Sequence, residues 1–113
     1  MKAMLAILLI GITAAAQDEI LDTPNYTITI RGCDEYVVSC DNVKYKGVNK
    51  KNGKSITLTG RTVHSAAADD VTPSQFWGYE FTNREAIYFV GADGELLVTR
   101  GTNVLVDERG TWK

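Results

Sequence analysis

From residue 26 onward, apolar and polar side chains alternate with period two in short runs separated by turn-forming residues, and this pattern restricts the chain to paired strands. Tyr26, Ile28 and Ile30 fall on one side, with Thr27, Thr29 and Arg31 on the other. Val43 and Tyr45 alternate with Lys44 and Lys46 in the same way. Asn52-Gly53 tolerates positive φ and marks a hairpin turn, from which a return strand runs over 55–63 with Ile56 and Leu58 facing inward. No window of helical length sustains a 3.6 period. Across 64–75 the alternation lapses into an Ala-rich, acidic and Pro-containing connection, where Thr72-Pro73-Ser74-Gln75 has the form of a capped helix start or of a simple turn.

Strands then recur at 76–82, 86–91, 95–100 and 104–108, joined by links too short for a parallel crossover, so a four-stranded antiparallel meander is expected. Phe76-Trp77, Tyr79 and Phe81, and the run Ile87-Tyr88-Phe89-Val90, place bulky apolar groups on both faces. A sheet wet on one side alternates more cleanly. The expected class is therefore all-β, a single antiparallel domain of about six to eight strands curled into a small barrel or folded into a sandwich.

The 113 residues leave room for one domain, preceded by a segment of different character. Lys2 precedes the apolar run 3–12, and Ala14 and Ala16 supply an A-x-A pattern before Gln17. Residues 1–16 thus read as a cleaved signal peptide and 17–113 as the mature domain, periplasmic or secreted. The run breaks at Gln17, Asp18 and Glu19, short of the roughly 20 apolar residues of a span, so no stable membrane insertion is expected after cleavage. No cysteine stands at the cleavage point, which argues against a bacterial lipid anchor. Removing 1–16 takes away Lys2 and no acid, moving the formal charge from −2 to −3, a balance that disfavours nucleic acid as a partner.

Export places Cys33 and Cys40 where disulfides form and persist, and the two are expected to pair. Seven extended steps cover roughly 23 Å, whereas bridged Cα atoms lie about 4.4–6.8 Å apart, so 34–39 must reverse the chain. Closing so small a loop contributes about 2.5 kcal/mol in the chain-entropy account.

No cofactor or metal ion is expected. His64 lies beside Ser65 and before Asp69 and Asp70, which invites a Ser-His-Asp reading, but no strained nucleophile elbow accompanies it. Asp69-Asp70 with Asp93 or Asp107 lacks EF-hand spacing. Glu80 and Glu95 form a hydrolase pair only if the fold sets them across a cleft. The most distinctive polar feature is basic: Lys44, Lys46, Lys50, Lys51, Lys54 and Arg61 fall within eighteen residues containing no acid. Edge-strand protection accounts for such lysines, as does an electrostatic contact with an acidic protein site. Phe76 and Trp77 are the aromatics expected to be exposed and available to a partner.

The stretches Cys40-Asp41-Asn42-Val43-Lys44-Tyr45, Lys51-Asn52-Gly53-Lys54, Gly78-Tyr79-Glu80-Phe81 and Gly110-Thr111-Trp112 resemble a group of small uncharacterised exported proteins of enteric bacteria. In size, export signal and closing succession of strands the chain is also similar to periplasmic lysozyme inhibitors of the MliC/PliC type, small antiparallel barrels that block a lysozyme cleft. Those inhibitors typically tie in a cysteine near the C-terminus, whereas both cysteines here are N-terminal, and no inhibitory residue carries over. The leading expectation is an exported non-enzymatic binding module, with inhibition of a hydrolase such as lysozyme as what the second likeness implies. A small hydrolase using His64 and a structural envelope protein stand as alternatives, and oligomeric state is unreadable.

Overall fold

The computed structural model describes residues 18–32, 40–66 and 73–113; the expected signal peptide, Cys33 and the Asp69-Asp70 pair lie outside the described residues. Nine strands form one sheet: β1 (Asp18–Asp22), β2 (Tyr26–Arg31), β3 (Val43–Asn49), β4 (Ser55–Ala66), β5 (Pro73–Asn83), β6 (Ala86–Gly91), β7 (Glu95–Arg100), β8 (Asn103–Arg109) and β9 (Thr111–Trp112). Each of β1 to β7 pairs antiparallel with the next, and β9 returns to pair with β1, so the sheet is nearly closed as a barrel. No helix occurs among the described residues.

The period-two pattern becomes the inside and outside of this barrel. Ile30 lies opposite Tyr45 and Tyr45 opposite Leu58, while Phe81 lies opposite Tyr88 and Tyr88 opposite Val98. Ile28, Ile30, Val43, Phe81, Val90 and Leu96 are almost wholly removed from water, each burial worth about 1.5–3 kcal/mol. Tyr45 packs against Phe81 at 5.0 Å and edge-on against Tyr88 at 5.6 Å between ring centroids.

Closure depends on one glycine. Only Gly110 separates β8 from β9, so the two act as one strand that pairs with β7, bends, and then pairs with β1. A Cβ at Gly110 would lie 2.1 Å from the Asp22 carbonyl oxygen, so no other residue allows this approach without displacement. Glu108 adds a side-chain tie across the seam: the Asn25 amide side chain donates to it at 2.6 Å and the Asn25 backbone N–H at 3.1 Å. The Asn103 end of β8, beyond this tie, shares ladder bonds with β7 alone and leaves one end of the barrel open.

Several expectations need correction. The described residues form nine strands, β1 and β9 being additional to the expected set; both are short, and pairing with each other completes the sheet. Of the helix start or turn expected at Thr72-Pro73-Ser74-Gln75, Thr72 lies outside the described residues and the other three are strand: Pro73 opens β5, at the strand position where its missing N–H is tolerated. β4 likewise runs on to Ala66, past the expected end at Val63, through register shifts at Val63/His64 and Ser65/Ala66. The turn after β3 is longer than an Asn-Gly hairpin: Asn49 N–H donates to the Lys54 carbonyl at 2.9 Å, with Gly53 at φ 73°. The expected Cys33–Cys40 bridge is not supported here, Cys33 being outside the described residues; Cys40 is held to β4 by its N–H donating to Thr62 Oγ1 at 3.1 Å.

Candidate functional site

β3 alternates buried and exposed positions from Val43 to Gly47, which turns Lys44 and Lys46 outward side by side. The register sets Arg31 and Thr59 on either side of Lys44, and Thr29 and Thr57 on either side of Lys46. Together they line a shallow groove of about 640 Å³ on the outer face of β1 to β4. Lys44 Nζ donates to Thr59 Oγ1 at 3.2 Å, and Arg31 grips Asp18 through Nε at 2.8 Å and a second nitrogen at 3.4 Å. The hydrogen bond from Arg31 holds the Asp18 carboxyl below its ordinary range. Lys46 makes no ion pair among the described residues. Two ammonium groups, a guanidinium and hydroxyls on one open face suit carboxylate, phosphate or sulfate oxygens.

The other lysines divide. Lys50 turns back on the barrel, donating to Asp22 and to the Thr23 carbonyl at 2.6 Å, and Lys113 joins Asp22 at 3.3 Å. Hydrogen bonds from Lys50 and then Lys113 depress the Asp22 pKa, so Lys50 braces the β1–β2 turn. Lys51 and Lys54 stand exposed on the loop between β3 and β4.

Phe76 and Trp77 are exposed by 37% and 54%, as expected of contact residues, but they sit far from the loop lysines. Phe76 pairs with His64, nine residues along β4 from Ser55, or about 30 Å at strand spacing. The fold therefore does not gather the lysines and the aromatics into one patch.

His64 rests edge-on against Phe76 at 5.6 Å, and Ser65 Oγ lies 3.5 Å from the Gln75 carbonyl. Neighbours on a strand project to opposite faces, which separates the hydroxyl from the imidazole. Glu80 and Glu95 do line one outer cleft with Trp77 and Phe89, but Glu80 is committed to Arg61 at 2.8 Å. Asp93 is paired with Arg109 at 2.9 Å, and no metal-binding group of three or more ligands occurs among the described residues.

Sequence reading missed Arg31 and the threonines as companions of Lys44 and Lys46. Their outward positions were legible, but only the pairing of β2, β3 and β4 brings them together. It also missed Glu19, which accepts a hydrogen bond from the Tyr79 hydroxyl at 3.1 Å. Comparison of the chain with known family models, with curated proteins and with solved structures found no match.

Proposed function

We propose that residues 17–113, freed of a signal peptide and carrying a Cys33–Cys40 bridge, act in the periplasm or outside the cell as a non-enzymatic binding module for an acidic protein site, such as the cleft of a hydrolase. The observation that carries this reading is the outward pair Lys44 and Lys46 beside Arg31, in a groove whose one acid among the described residues, Asp18, is tied to Arg31. A flat face with several cations gives steering and register more than raw affinity, since each exposed pair is worth only about 0.2–1 kcal/mol. Partners of this kind release as salt screens the contact.

The test is capture from envelope extract by the mature protein, followed by titration of the captured partner. Changing Lys44 and Lys46 together to Glu should weaken the complex roughly tenfold or more, and added salt should weaken the wild-type complex in parallel. Lys51→Glu and Lys54→Glu should have smaller effects, because those lysines lie on the loop and not in the groove. Affinity unchanged by the double reversal would remove the basic face from the account.

A further inference from the structure

The open end of the barrel differs from the basic face in chemistry. Its walls come from both sides of the seam: Ile56 and Gly47 on one, Leu105 and Val106 on the other, with Leu96 and Val98 beneath, enclosing about 340 Å³. Pockets that hold small molecules run to roughly 300–1,000 Å³, and the mouth of a small antiparallel barrel is a usual place for one. Ile56 and Leu105 remain 37% and 47% exposed, so the barrel's own side chains leave this end unfilled.

The polar groups of the cleft are few. Tyr26, Tyr45 and Tyr88 all contribute, and none of their hydroxyls has a hydrogen-bond partner among the described residues. Tyr45 is the telling case, because only 3% of it is exposed, and a buried tyrosine ordinarily satisfies its hydroxyl. Its hydroxyl end reaches over Gly47, where a Cβ would lie 2.5 Å from the phenolic oxygen, so the glycine leaves room for the phenol. No buried side-chain polar atom lacks a partner among the described residues, so the Tyr45 hydroxyl must open onto the cleft. At the rim stand the amides of Asn49 and Asn52 and the Lys54 ammonium, and among the described residues no carboxylate lines the cleft.

We propose that this end of the barrel binds one free amphiphile, an apolar chain or ring carrying a single anionic head group. The apolar part lies between Leu105 and Ile56 above Leu96, and the head group sits at the rim with Lys54 and the asparagines. A concave cleft of this size suits a monomeric molecule; a membrane surface would call for an apolar protrusion.

Titration of the mature protein with decanoate, and separately with decanol, tests the site. Decanoate should bind one to one. Lys54→Glu should weaken decanoate at least tenfold while changing decanol less than twofold, and Leu105→Arg should abolish both. Lys46→Glu, on the outer face, should alter neither. Circular dichroism checks that Leu105→Arg still folds, and the decanoate-to-decanol contrast in Lys54→Glu stands without it. The proposal is overturned if decanoate does not bind, if it binds equally well to folded Leu105→Arg, or if the protein binds anionic phospholipid vesicles but no monomeric amphiphile. It is overturned equally if the mouth is closed by a second copy, shown by a dimer in sedimentation that Leu105→Arg dissociates.

Discussion

Burial pushes the phenols of Tyr45 and Tyr79 well above the ordinary tyrosine range, with Tyr88 and Tyr26 adding to the effect at Tyr45 and Glu19 at Tyr79. A group whose pKa is raised by folding contributes stability that is whole below its unfolded value, about 10 for tyrosine, and is lost as pH climbs past it. The expected outcome is that phenolate absorbance from these two residues appears only together with loss of the strand signal in circular dichroism. Tyr45→Phe with Tyr79→Phe should remove that late component. A titration completed before any unfolding would contradict the burial of both rings. Tyr79 also shows what single residues concealed: in sequence Glu19 only helps to end the apolar run, and it takes the pairing of Glu19 with Ile30 to set its exposed carboxylate on the side from which the Tyr79 hydroxyl donates to it.

Among the elements, legibility followed the strength of the alternation. β6 and β7 have the boundaries their patterns imply, and β3 shows the expected inward and outward sets, because each of these strands buries one face and a slip by one residue would expose it. β1 and β9 were illegible for a physical reason: Asp-Glu-Ile-Leu-Asp and Thr-Trp carry too little period-two signal, and their conformation is decided by pairing across the seam. The same holds for the candidate sites. Lys44 and Lys46 could be assigned to one face from spacing, whereas the tyrosine-lined mouth depends on how far β8 runs past the Glu108 tie. Gly110 is where this seam is most exposed to substitution. Gly110→Ala must move a methyl group away from the Asp22 carbonyl, and overpacking of that kind costs about 1–3 kcal/mol. Urea unfolding should report the loss, and an unchanged midpoint would mean that β8 and β9 tolerate a different bend.

For the whole molecule, acid should act first on the seam. Desolvation raises the pKa of Glu108, but hydrogen bonds from the Asn25 side chain, Thr23 and the Asn25 backbone outweigh it and leave the carboxyl below its ordinary range. A lowered pKa contributes stability above the unfolded value, about 4.3 for glutamate, that disappears as pH falls through the folded one. Thermal midpoints of the wild type should therefore drop more steeply between about pH 5 and pH 3 than those of Glu108→Gln. Parallel curves would assign the acid sensitivity to the exposed pairs at Asp18, Asp22 and Asp93. The return of β9 to β1 also governs the order in which the molecule is assembled. Leu21 and Trp112 stand about ninety positions apart, so the hairpins from β2 to β8 can zip locally while β1 waits for the last partner to be synthesised. Until then a nascent chain carries a bare strand edge, and this unfinished ring is the form most open to aggregation and to capture by a chaperone.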